Sequence, residues 1–420
     1  MISEMNLWNA HTFNLGSQGN IYTQTVIKLI NGSCKLLVAA LSRKVSCFDL
    51  SMTHSARPCG CVVVPQTQEL QFTYLPPGAE IISIHAFNRS SETNDFVIGV
   101  TIIKGSDSGS QDQYINIYSE WEPGTELQLD SLAQGCLSLE LRYIPYQLGH
   151  CQVGEEKLWI LGGSDNRIHV FSEDKLRHMY CELEVENSLV EFQDPYPSVP
   201  LYTDTHTEDG IRTVATVCEC GFLKLTKVDE FRNEILKIWT RNFEGPLTCV
   251  LFMKSSTSLD FLFPSFIGDN AKLPRREKEK NLSMVVTCSI GESLVYSDVT
   301  NLGLESCERL EQSDAHDIVT SAWVDDLTFD GNLTILLGTH GLKVLAYRRE
   351  DSGWKLKWEK RFPAPILGIR YADLTGDGVK ELIVITTCGV QVLQHDLEAV
   401  KETALRRLNT ISRLIKNISN

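Results

Sequence analysis

The chain has 420 residues, 42% hydrophobic and 22% charged, the balance of an ordinary globular protein. A net charge of −15 and a pI near 5.2 suit it poorly to nucleic acid or to nonspecific attraction by anionic membrane. Residues 1–8 lack a basic start followed by an apolar core, and no stretch of about 18 apolar residues occurs, so neither a signal peptide nor a transmembrane segment is expected.

Taken in order, the chain repeats one pattern. An apolar run is followed by a polar turn, often with glycine, and then by a run of alternating apolar and polar residues, which reads as paired antiparallel strands. A strand-like segment over 20–27 precedes the first pair, 35–41 with 45–48. The second pair, 96–103 with 114–118, is joined by a Ser/Gly/Asp-rich stretch over 105–113, longer than a hairpin needs. The third, 158–163 with 167–171, turns at Ser164-Asp165-Asn166 and is the cleanest hairpin in the chain. The fourth is 211–217 with 221–225 and the fifth 282–288 with 293–296. Before the fifth lies a polar insertion, 255–281, whose basic tract at 274–280 is mixed with glutamates and reads as a solvated loop. The sixth and seventh pairs run over 334–347 and 381–394. The character then changes: Leu397, Val400, Ala404, Leu408, Ile411, Ile415 and Ile418 recur three or four apart, as in an amphipathic helix capped by Asp396. Such a stripe fits a helix packed on the flank of the domain and a helix that receives a partner equally well.

Seven strand pairs, each with a further strand-like run before it, give seven small sheets that must bury their faces on one another. Spacings of roughly 45 to 70 residues point to propeller blades with insertions between them. The expected fold is therefore all-β, a seven-bladed β-propeller with WD40- or FG-GAP-like blades and a C-terminal α-helix. On this reading residues 1–14 are a tail, 15–395 the propeller and 396–420 the helix. Closure of the ring is expected to mix N- and C-terminal strands in one blade, with 20–27 as the donor.

Chemistry-bearing residues are few. Asp373-Leu374-Thr375-Gly376-Asp377-Gly378, followed by a β-branched run, nearly repeats Asp326-Leu327-Thr328-Phe329-Asp330-Gly331 found 47 residues earlier. The later turn resembles the calcium loop of FG-GAP repeats, in which alternating oxygens and one backbone carbonyl ligate the ion. The matching positions are Asp373, Thr375, Asp377, the carbonyl of Val379, and Glu381. Thr375 replaces a carboxylate, and in the earlier copy Thr328 and Thr334 replace two, which lowers the ligand charge. The competing reading is a tight Asp/Gly turn between blade strands without an ion, and no metal is assigned. The 13 cysteines are an odd number, and those in apolar runs, such as Cys47, Cys249 and Cys288, read as reduced and buried. Cys59/Cys61 and Cys218/Cys220 lack the companion ligands that zinc needs. Asp314-Ala315-His316-Asp317 reads as a polar turn before a strand. No nucleophile elbow, phosphate loop or metalloprotease helix is present, so neither enzymatic activity nor a cofactor is expected.

Several segments resemble the kaptin family. They are Glu69-Leu70-Gln71-Phe72-Thr73-Tyr74-Leu75-Pro76, Ala79-Glu80-Ile81-Ile82-Ser83-Ile84, Glu122-Pro123-Gly124-Thr125-Glu126, Leu137-Ser138-Leu139-Glu140-Leu141 and Ala372-Asp373-Leu374-Thr375-Gly376-Asp377-Gly378. They fall in the same order from about residue 15 to residue 400, whereas 105–113, 255–281 and the final helix match poorly. The resemblance implies a non-enzymatic scaffold subunit of a KICSTOR-like complex at the lysosomal surface. Such a complex recruits the GATOR complex and restrains TOR signalling when amino acids or glucose are scarce. The implied partners are a second FG-GAP-type propeller, other KICSTOR subunits and, indirectly, GATOR. The resemblance also implies an alternative, an actin-filament adaptor of lamellipodia or stereocilia.

Overall fold

A computed structural model describes residues 7–41, 43–54, 61–105, 111–120, 127–174, 177, 179–254 and 282–418. The insertion at 255–281, the basic tract within it, most of the 105–113 connection and Cys59 lie outside the described residues.

The first strand, β1 (Leu7–Asn14), belongs to the last blade. Blade 1 holds β2 (Gln24–Lys28), β3 (Cys34–Ala39), β4 (Val45–His54) and β5 (Cys61–Leu70); blade 2 holds β6 (Ala79–Asn88), β7 (Phe96–Gly105), β8 (Gln111–Ser119) and β9 (Cys136–Leu141). In blade 3 follow β10 (Pro145–Val153), β11 (Glu156–Gly163), β12 (Ile168–Asp174) and β13 (Met179–Glu182), and in blade 4 β14 (Pro200–Glu208), β15 (Ile211–Cys218), β16 (Phe222–Asp229) and β17 (Glu234–Asn242). Blade 5 comprises β18 (Leu247–Lys254), β19 (Leu282–Cys288), β20 (Leu294–Tyr296) and β21 (Cys307–Arg309); blade 6 comprises β22 (Val319–Asp325), β23 (Thr334–Thr339), β24 (Lys343–Glu350) and β25 (Gly353–Arg361). Blade 7 is β26 (Ile366–Ala372), β27 (Glu381–Thr386), β28 (Gly389–His395) and, on its outside, β1.

All pairings are antiparallel, and the first strand of each blade touches the first strand of the next, so β2, β6, β10, β14, β18, β22 and β26 form a closed inner ring. The seven pairs expected from alternation are the two middle strands of the seven blades. They are the most apolar because neighbouring blades cover both their faces: every residue of β23 and of β27 is buried. Val217, Leu225, Leu247 and Met284 form one core shared by blades 4 and 5. A blade alone would expose these faces, so the ring is the stable unit.

One polar device sits inside this apolar packing. Arg212 on β15 is 1% exposed and donates from Nε and Nη2 to the two carboxylate oxygens of Glu191, at 2.7 and 3.1 Å. Glu191 lies in the short 3-10 turn Val190–Phe192, and its carbonyl accepts from Lys224 Nζ at 2.9 Å. Losing one partner of such a bidentate buried pair typically costs about 3–5 kcal/mol.

Ring closure does mix the two ends of the chain, but the donor differs from the expected one. Residues 24–27 of the segment taken as donor, with Lys28, open blade 1 as β2, while residues 7–14, expected within a tail, pair with β28 from Leu7↔His395 to Asn14↔Gly389. Among these eight residues only Phe13 is buried, because an outermost strand has one edge and much of its surface in water. A sequence so polar carries little strand signal. The C-terminal helix spans Leu397–Ile418, and Glu398 N donates to Asp396 Oδ1 at 3.0 Å in an N-cap contact. Leu397, Leu405 and Leu408 stay about half exposed, at 58%, 50% and 51%.

Candidate functional site

The Asp373 turn links β26 to β27, and glycine makes it possible: Gly376 and Gly378 take φ of 73° and 89°, where side chains are disfavoured. Asp373 folds the turn onto itself, accepting from Gly376 N at Oδ1 (2.6 Å) and from Gly378 N at Oδ2 (2.8 Å). Asp377 Oδ1 accepts from Val379 N at 2.8 Å. Glu381, 2% exposed, accepts from Leu374 N at 2.8 Å and from the Thr375 hydroxyl at 3.0 Å. One oxygen of each of Asp373, Asp377 and Glu381 lies within 4.8 Å of the others, so the three carboxylates expected from the sequence do converge. Burial, reinforced by Asp377 and Asp373, pushes the Glu381 carboxyl from its usual 4.5 up to about 7.

These residues meet the requirements of a calcium site only in part. Calcium takes six to eight oxygens, and its affinity follows ligand charge. Thr375 supplies a hydroxyl where a carboxylate would stand, and the Asp373 and Glu381 oxygens are already met by N–H and O–H donors. The turn is closed by its own hydrogen bonds.

The Asp326 copy repeats the closure with a cation of the protein's own. Gly331 N and Asp330 N donate to the two Asp326 oxygens at 2.7 and 3.2 Å, and the Arg348 guanidinium donates to Asp330 Oδ2. Phe329 takes φ 55° where the later turn has Gly376. Burial opposes ionisation of Asp330, but the hydrogen bonds from Arg348, Asn332 N and Thr328, with the Arg348 charge, together outweigh it and hold the carboxyl below its usual value.

The remaining sequence candidates do not assemble. Cys218 is buried, its thiol pushed up to about 12 by burial, while Cys220 is exposed. Cys59 is outside the described residues, so its pair with Cys61 has no structural description. Asp317 accepts from Ile318 N at 2.8 Å and faces His340 Nδ1 at 3.2 Å; His316 faces Glu359 at 3.5 Å and Lys343 at 3.4 Å. These are surface turn contacts.

Sequence reasoning missed the polar groups of the inner ring. His85 Nε2 and His150 Nδ1, on β6 and β10, are 2.8 Å apart, and burial lowers both, His150 to about 4. Asp204 on β14 is pushed up to about 6 by burial, although Phe252 N and Thr205 N donate to it at 2.7 and 2.9 Å. Arg370 on β26 lies 5.4 Å from the Trp323 ring centroid and donates to Ile369 O at 2.8 Å. Tyr22, ahead of blade 1, reaches blade 4 and donates to Leu201 O at 2.9 Å. Only the first strands of blades bring these residues together, and no local motif announces them. The two histidines bond each other and Asp204 bonds amides, so neither imidazole is set against a carboxylate base. The buried Cys249 thiol is pushed up to about 12 by burial, the opposite of activation.

Fold and turns together define a seven-bladed β-propeller whose Asp373 and Asp326 turns are closed by their own hydrogen bonds. The family model described as KICSTOR complex protein kaptin matches residues 7–405, from the closing strand into the final helix. Mouse kaptin (Mus musculus) is 37% identical over 404 residues, 93% of this chain and 89% of the mouse protein. The chain belongs to the kaptin family. Among solved structures, BBS1N, crystallised with ARL6DN, aligns with a TM-score of 0.55 at 11% identity, covering 93% of this chain and 97% of its own. The Dos1 propeller aligns at 0.53 and 10% identity, covering 92% of this chain and 95% of its own. At such identities these two bear on the fold alone.

Proposed function

We infer that this protein is a non-enzymatic scaffold subunit of a KICSTOR-like complex. The observation that carries this reading is the extent of the family match, which begins at the strand that closes the ring and runs through all seven blades. A scaffold needs a rigid ring with large exposed edges, and the seven closed blades supply one. Its partners in this reading are a second FG-GAP-type propeller and the other KICSTOR subunits. The assembly works at the lysosomal surface, where it recruits the GATOR complex and restrains TOR signalling under amino acid or glucose deprivation. Direct attachment to actin is disfavoured by charge, since an acidic filament repels a protein carrying −15.

Affinity capture of the tagged full-length protein from amino-acid-starved cells tests the reading. Recovery of KICSTOR subunits, with GATOR lost when the protein is depleted, is the expected result. Capture without any of those subunits overturns it.

A further inference from the structure

The outer edge of blade 4 differs from the other outer edges. Elsewhere the outermost strand buries part of itself: Phe13 in β1, Leu141 in β9, Tyr180 in β13, Trp354 and Trp358 in β25. The short β21 buries nothing, but it is only Cys307-Glu308-Arg309. β17 is nine residues long and none is buried, yet it reads Glu234-Ile235-Leu236-Lys237-Ile238-Trp239-Thr240-Arg241-Asn242. Ile235, Leu236 and Ile238 are 37%, 50% and 44% exposed.

Its register separates two faces. Ile235 and Ile238 stand opposite Val228 and Thr226, on one face; Lys237, Trp239 and Arg241 stand opposite Lys227, Leu225 and Leu223, on the other. One face is aliphatic; the other carries two cations around an indole, with Glu234 at its start opposite Asp229. Lys237 Nζ lies 4.6 Å from the Trp239 ring centroid, and Arg241 donates to the Tyr296 hydroxyl at 3.0 Å. Among the described residues neither cation is ion-paired with a carboxylate, although the chain carries 54 acidic residues against 39 Lys and Arg. On an acidic protein this is a local reversal of charge, built along a strand whose second edge has no neighbour in the sheet among the described residues.

Exposed edges are ordinarily blunted; β17 has a bulge only at its start, between its pairings with Lys227 and Val228, and beyond it only the charges of Lys237 and Arg241 guard the edge. From Ile238 to Asn242 the ladder is regular, so its free backbone groups can template another strand. We propose that this edge receives an extended segment of a second protein in which acidic and aliphatic residues alternate, added as a fifth strand of blade 4. Its aliphatic side chains cover Ile235 and Ile238, and its carboxylates meet Lys237 and Arg241. A second copy of this chain fits less well, because it would bring four cations and two indoles onto one face against only the two Glu234 carboxylates.

The test uses the full-length protein and three labelled ten-residue peptides: one alternating Glu and Val, one with Lys in place of Glu, and one Glu/Val peptide with a central Pro. Anisotropy is expected to show binding of the Glu/Val peptide, with the Lys peptide at least about tenfold weaker. The Pro peptide is expected to lose binding, since it breaks the ladder. Amide hydrogen exchange is expected to slow in β17 and in no other outer strand. Lys237→Glu and Arg241→Glu together should invert the preference toward the Lys peptide, a gain that unfolding cannot produce. Equal binding of the Glu and Lys peptides, no binding of either, protection elsewhere, or failure of the inversion overturns the proposal. So does a protein dimer that Ile238→Asp dissociates in sedimentation, because a second copy would then hold the edge.

Discussion

Arg348 donates its guanidinium to the Asp330 carboxylate and so supplies, from β24, the positive charge that the Asp326 turn would otherwise lack. The register explains the contrast with the next blade. Arg348 stands opposite Thr334, at the start of β23; at the same place in blade 7, one step beyond the Leu382–Leu393 pair, Gln394 stands by Glu381 and donates to it at 3.4 Å. One turn thus carries an internal cation and the other a buried carboxyl with a neutral partner.

For the first turn, Arg348→Gln is expected to cost about 1 kcal/mol at pH 7, the upper range for a partly exposed ion pair. Because the Asp330 pKa is depressed in the fold, its contribution is present above the unfolded value of 3.8 and lost as pH falls through the folded value. Urea denaturation of wild type and variant at pH 7 and pH 3 checks this. The gap should be full at pH 7 and narrower at pH 3; an equal gap at both would mean that Arg348 acts by packing.

The second turn should respond to pH in the opposite sense. Glu381 has a raised folded pKa, so its contribution is fully present below about 4.5 and is lost as pH rises through about 7. Glu381→Gln keeps an acceptor for Leu374 N and removes the titration. The variant is expected to be less pH-dependent than wild type between pH 5 and 8, and more stable at pH 8 by about 1–3 kcal/mol. Parallel melting curves for the two proteins across that range would refute the assignment.

Calcium is expected to leave the melting temperature unchanged at micromolar concentration, because hydrogen bonds within the turn already meet the oxygens of Asp373 and Glu381. Occupancy at a hundred times Kd would add about 2.7 kcal/mol and be easily seen. Thr375→Asp restores the missing carboxylate and is the variant expected to gain a calcium-dependent rise. A rise in wild type that Asp377→Asn abolishes would instead make the turn a metal site.

The middle strands of all seven blades could be read from the sequence because they are covered on both faces, and that burial demands Val, Ile and Leu in short runs. The Asp373 turn was legible for a different reason: Gly376, Gly378 and the spaced acids are fixed by local backbone geometry. What escaped was set by contacts distant in sequence. β1 has Phe13 as its only buried residue, so its role shows only beside β28. His85 and His150 are 65 residues apart and meet because β6 and β10 are neighbours in the inner ring. Arg348 was passed over because a cation on an alternating strand reads as solvent-facing until its turn is placed beneath it.

Ring closure supplies the last prediction. Phe13 packs between blades 7 and 1, its ring 4.9 Å from Phe48, in a core with Leu36, Ile383 and Val392. Phe13→Ala is expected to cost about 3 kcal/mol. Gly389, beside Phe13 at the same end of the β1–β28 ladder, has room for no side chain, since a Cβ there would lie 2.2 Å from the Phe13 carbonyl oxygen. Gly389→Ala must therefore push β1 away, whereas in a protein lacking residues 1–14 the same change meets nothing from that strand. Thermal melts of the four proteins form a cycle. Deletion should lower the melting temperature and, by opening the edge of β28, promote aggregation. Gly389→Ala should be costly only when β1 is present. Equal costs in both backgrounds would show that β1 does not hold the ring shut.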